Sequence, residues 1–155
     1  MLDEALVQTG AFLAIGIAAM GSAYGCGVAG SSAVGAWKKC YMQGKEAPFQ
    51  LAVLTGVPMS QTIYGMILML MINGSEAPAS NWPVFLAMGI FGGIAIALSA
   101  AFQGRAAAGA CDAYAESGKG FVNYLLALGV IETIAIFVMV FAILLMGKLV
   151  PVNPA

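Results

Sequence analysis

The chain has no histidine, and only 8% of its 155 residues are charged. No imidazole is available as base or metal ligand. The formal net charge is −1, so no basic surplus points to nucleic acid. The three cysteines, Cys26, Cys40 and Cys111, form no CxxC pair, and an odd number cannot all pair within one chain. They read as reduced small residues. No GxxxxGK[ST] phosphate loop is present, which excludes that route to a nucleotide enzyme. The opening "MLDEALVQTG" is acidic and lacks the basic n-region of a secretory signal, so the first apolar segment is expected to stay in the mature protein.

Apolar residues, by contrast, make up 61% of the chain. A soluble domain of this length could not hide so much apolar surface, so an integral membrane protein is expected, one membrane domain over 1–155. Four long apolar segments stand out: Gly10–Trp37, Ala47–Asn73, Trp82–Ala115 and Gly120–Met146. Each exceeds the roughly 20 residues that span hydrocarbon, and in lipid each must be helical to satisfy its backbone. The fold class predicted is therefore an all-α membrane protein of four transmembrane helices.

Three polar connectors separate the segments: "KKCYMQGKEAP", "GSEAPASNWP" and "AESGKG". An even number of spans puts both termini on one side. Lys38, Lys39, Lys45 and Lys119 lie in the first and third connectors, while the second has Glu76 and no cation. The positive-inside rule then predicts cytoplasmic loops near 38–46 and 116–119 and non-cytoplasmic termini, with Lys148 alone voting against.

The two halves repeat. "FLAIGI" at Phe12–Ile17 recurs as "FLAMGI" at Phe85–Ile90, and "QTI" at Gln61–Ile63 as "ETI" at Glu132–Ile134, at offsets of about 71 to 73 residues. The predicted organisation is two tandem parallel hairpins, 10–73 and 82–148. One ionisable group, Glu132, serves both. The first and third segments are rich in glycine, and Gly21-x-x-x-Gly25 and Gly89-x-x-x-Gly93 set small residues on one face. Such helices are expected inside, as the inner circle of a multimeric ring, with the Leu-, Met-, Ile- and Val-rich helices outside. The plainer expectation is that the glycines serve pairing within one chain.

"GVIETIAIFVMVFAILLMG" holds one charge, Glu132, about 20 Å along its helix from the connector tip near Ser117–Gly118. A carboxylate in a membrane segment is a functional candidate by default. Gln103 lies at similar depth, and so does Gln61, counted from a tip near Gly44. Val57, Ser60, Gln61 and Tyr64 fall at i, i+3, i+4 and i+7, one helix face. Pro58 interrupts that turn, leaving the Leu54 carbonyl without its partner and freeing carbonyls to aim sideways. A proton needs little more than the carboxylate. Glu132 with the oxygens of Gln61, Gln103, Ser60 and a nearby carbonyl better suits a dehydrated Na⁺. Tyr64 fits as a hydrogen-bond donor to the carboxylate, with direct ligation the alternative. The structural alternatives are ordinary interhelical hydrogen bonds and a salt bridge between Glu132 and Arg105. The second is disfavoured because Arg105 projects roughly 200° around the helix from Gln103.

Four helices in two hairpins, glycine-rich first and third helices, "VPMSQTIYG", "FQGRAAAG" and "IET" together resemble the proteolipid ring subunit (K or c subunit) of V-type and V/A-type rotary ATPases, over nearly the whole chain, and most closely the bacterial sodium-transporting type. The resemblance implies that Glu132 is the ion-carrying carboxylate. It implies Gln61 and Gln103 as amide ligands, Ser60 as hydroxyl ligand, Val57 as carbonyl ligand and Tyr64 as the donor to Glu132. Ser60 stands where that type is expected to have threonine, and Val57 where it has leucine.

The resemblance further implies a non-catalytic subunit that assembles as a homo-oligomeric rotor ring in lipid. The ring would turn against a static membrane subunit with an essential arginine, and its cytoplasmic loops would seat a central stalk. The cargo would be Na⁺, or alternatively H⁺, and other subunits would hydrolyse or make ATP. A small proton-coupled multidrug-type transporter and a purely structural ring or pore component are the rival readings.

Overall fold

The computed structural model describes residues 1–150, and among them every regular element is helical. Four helices are long and apolar enough to cross a membrane: α1 (Leu2–Met42), α2 (Gln50–Asn73), α3 (Ala79–Ser117) and α4 (Phe121–Gly147). α1 runs eight residues earlier and five later than the apolar run Gly10–Trp37. Both additions suit a helix dipole, since Asp3 and Glu4 occupy the first turn and Lys39 the last. The "KKCYM" part of the first connector is therefore helix, which leaves residues 43–49 as the loop.

The loop tips lie where expected. Gly44 (φ 66°) and Gly118 (φ 62°) take the left-handed conformation that side-chain-bearing residues adopt at a cost. Trp37 Nε1 donates to the Pro48 carbonyl at 2.9 Å and closes the first loop. Lys39 pairs with Glu116 and ties the α1 end to the α3 end.

α1 and α3 form the centre of the chain, packed backbone to backbone. A methyl group on Gly25 or Gly104 would collide with the backbone of the other helix, as would one on Gly10 against α3 or on Gly89 against Gly10. Gly21 meets Ala97 in the same way. These glycines thus serve pairing within one chain, the plainer of the two expectations. Gly27, Gly35 and Gly109 meet nothing within 4 Å. Ser32 Oγ donates to the Ala108 carbonyl at 2.8 Å and adds a polar tie between the same two helices. α2 packs chiefly against α1, and α4 against α3 and α2. α4 buries only Leu128, Ala135 and Met146.

Two apolar clusters fill the interior. One gathers Ala11, Ala14, Ala18, Leu68, Phe85, Ile96 and Ala135 with their neighbours. The other gathers Ala29, Ala33, Leu51, Leu54, Ala107, Cys111 and Leu128. The buried polar residues, Ser22, Gln61, Ser99 and Gln103, belong to neither. They form a polar layer with an apolar seal on each side.

Candidate ion site in the polar layer

Pro58 prepares the α2 side of the site. It cannot donate to the carbonyl one turn back, and α2 tightens into a 3₁₀ turn over Val57–Met59. Ser60 Oγ then reaches the Val57 carbonyl at 3.1 Å and the Gln61 Oε1 at 3.2 Å. Ser60 Oγ therefore has two further oxygens of the same turn within hydrogen-bond distance. Gln61 is fully buried. Its Nε2 donates to Gln103 Oε1 at 2.8 Å and to Ser99 Oγ at 3.4 Å.

The α3 side is equally enclosed. Gln103 is fully buried, and its Nε2 donates to the Leu128 carbonyl at 2.9 Å and to Glu132 Oε2 at 3.5 Å. Glu132 itself is half-buried. Tyr64 Oη donates to its Oε1 at 2.6 Å, the short distance expected of a hydroxyl on a carboxylate. Two donors from two other helices thus hold the carboxylate.

All the residues singled out from sequence, Val57, Ser60, Gln61, Tyr64, Gln103 and Glu132, are joined by this network within one chain. Tyr64 enters it through its bond to Glu132. Arg105 is exposed, and among the described residues it forms no ion pair; the pairs present are Met1–Glu4 and Lys39–Glu116. The salt-bridge alternative for Glu132 is absent because α3 turns Gln103 toward α4 and Arg105 to the surface.

Sequence reasoning misses Ser99. It is 4% exposed, accepts from Gln61 and donates to the Ile131 carbonyl at 2.9 Å. The available signal was its place one helical turn before Gln103, on the same face. Ser22 is also missed. It is buried in α1, and its hydroxyl has no partner among the described residues.

Residues 86–145, which carry Ser99, Gln103 and Glu132, match the family model of the ATP synthase C subunit. The second hairpin of the chain is thus similar to this family. Over 148 residues, 94% of its length, the chain is 34% identical to the A-type ATP synthase subunit K of Methanocaldococcus jannaschii, and it spans 64% of that relative's length. The family match falls on α3 and α4, whereas the likeness to the archaeal protein takes in both hairpins. Both likenesses are to c- or K-type subunits, and the four long apolar helices are those of a multi-pass membrane protein.

Proposed function

We propose that this chain is a proteolipid of the ATP synthase C-subunit family, a non-catalytic rotor-ring subunit that carries Na⁺ across the membrane on Glu132, coupled to ATP turnover on other subunits. One observation carries the reading. A half-buried carboxylate with no basic partner among the described residues is linked, through N–H···O bonds of the Gln103 and Gln61 amides, to the Ser60 hydroxyl and the Val57 carbonyl. The oxygens so linked are carboxylate, amide, hydroxyl and carbonyl. Among the described residues no three His, Cys, Asp or Glu side chains cluster. Such a donor set suits a hard monovalent cation. Gln61, Gln103, Ser60 and Val57 would ligate the ion with Glu132, and Tyr64 would hold the carboxylate in place.

The mechanism follows from the cost of charge. An ionised carboxylate in hydrocarbon costs at least about 2.5–3.5 kcal/mol on insertion scales. A bound cation cancels it, so only occupied subunits would pass through lipid. An emptied one would wait at an arginine of a static membrane subunit. That difference would rectify ion flow into rotation of a homo-oligomeric ring. The loops near 38–46 and 116–119 would seat a central stalk on the cytoplasmic side, with the termini opposite.

The transporter alternative offers no account of the match to the ATP synthase C-subunit family. A proton is the second reading for the cargo, because a carboxylate alone suffices to bind one. Labelling of Glu132 by dicyclohexylcarbodiimide tests the choice. Na⁺ is expected to protect at constant pH, and a site unaffected by Na⁺ would instead be a proton site.

A further inference from the structure

Ser99 is the buried hydroxyl that ties α2, α3 and α4 together at the site. It accepts from Gln61 Nε2 at 3.4 Å and donates to the carbonyl of Ile131, the residue before Glu132, at 2.9 Å. The other Gln61 amide hydrogen goes to Gln103 Oε1 at 2.8 Å. Gln103 in turn spends its two hydrogens on the Leu128 carbonyl at 2.9 Å and Glu132 Oε2 at 3.5 Å. The two amides therefore point the same way, oxygen toward Ser60 and N–H toward the carboxylate. Each has one hydrogen in the chain and one on an anchor, Ser99 for Gln61 and Leu128 for Gln103.

We infer that Ser99 is a positioning residue that locks the polarity of the Gln61–Gln103 amide chain, and so keeps the Gln61 oxygen in place as a cation ligand. This rests on the sodium reading above. In the observed polarity, Gln61 Oε1 stays beside Ser60 Oγ and the Val57 carbonyl, where it can ligate a dehydrated ion. Gln103 meanwhile presents an N–H to Glu132, which suits the ionised carboxylate. In the reversed chain Gln61 would turn its NH₂ toward Ser60, and Gln103 would turn its oxygen toward Glu132. Two oxygens face each other there and need a proton or a cation between them. Reversal thus takes the Gln61 oxygen away from the Ser60 and Val57 oxygens and sets two unpaired oxygens against each other in the empty site. Leu128 opposes it because a carbonyl can only accept. Ser99 opposes it because its one hydrogen is held by Ile131, so toward Gln61 it too can only accept.

The test compares Ser99→Thr with Ser99→Val, near-isosteres that differ by the hydroxyl. Carbodiimide labelling of Glu132 is measured in the assembled complex at one pH, with Na⁺ titrated. The threonine variant is expected to reach half-protection within about threefold of the wild-type Na⁺ concentration, and the valine variant to need about tenfold more. Equal half-protection in the two variants overturns the inference. Should the branched side chains prevent assembly, Ser99→Ala against wild type makes the same comparison, with the same tenfold expected and no change overturning it. Labelling without Na⁺ reports an intact Glu132 in every variant. A wild-type chain that labels yet is never protected by Na⁺ defeats the sodium reading itself, and the role assigned to Ser99 with it.

Discussion

Glu132 takes both of its hydrogen bonds from other helices, from Tyr64 on α2 and Gln103 on α3. Each partner makes a distinct prediction possible. Glu132→Gln keeps the shape but removes the charge that a cation would neutralise. Carbodiimide labelling and ion-coupled ATPase turnover of the assembled complex are expected to vanish; retained coupling would take Glu132 out of the mechanism. Tyr64→Phe removes only the O–H. A hydrogen bond to a charged group contributes about 1.5–3 kcal/mol, so Na⁺ protection of Glu132 is expected to weaken by about tenfold or more, read from the same titration. At this scale most of the site was legible from the sequence, because a lone carboxylate in an apolar run is conspicuous and the i, i+3, i+4, i+7 spacing puts Ser60, Gln61 and Tyr64 on one face. Ser99 was not legible in the same way. A serine among alanines carries no local signal, and its partners lie 38 and 32 residues away in the chain.

Among the helices, two features decide how close the site's walls come. The first is the glycine contact between α1 and α3. Alanine at Gly104 would drive its methyl into the Gly25 backbone, which has no side chain to move aside. Gly104→Ala is therefore expected to destabilise the chain by about 1–3 kcal/mol, the range for overpacking a tight interior, measured by thermal unfolding in detergent. The second is the 3₁₀ turn at Pro58. Pro58→Ala restores an N–H to α2 and lets an ordinary α-helical turn form there. Ser60 Oγ and the Val57 carbonyl then lose their present alignment, and the Na⁺ concentration for half-protection is expected to rise while labelling persists. The break in the regular α-helix was legible, because proline's missing donor is a property of the residue. The use of Gly25 and Gly104 within the chain was not, since a run of glycines says that something approaches closely and does not say what.

For the whole molecule, the chain leaves Phe12, Tyr24, Phe91, Phe102, Phe137 and Phe141 well exposed, and α4 almost unburied. An apolar surface of this kind belongs against lipid or further copies of the chain. Purified in mild detergent, the protein is expected to run as a particle many times the 15.8 kDa of one chain; a small dimer would contradict the ring. What the sequence determined by itself was the helices and their number, the loop tips at Gly44 and Gly118, and the lone carboxylate of the fourth apolar segment. Each of these follows from local hydropathy, from a backbone that lipid forces to be helical, or from a glycine free to take a positive φ. Only the tertiary structure decided which helices touch, that the polar residues form one layer between two apolar clusters, and which way the amides of Gln61 and Gln103 point. Those are matters of contact between segments far apart along the chain. The orientation of an amide is fixed by donors and acceptors on other helices, Ser99 and the Leu128 carbonyl among them, and so cannot be read from the segment that carries it.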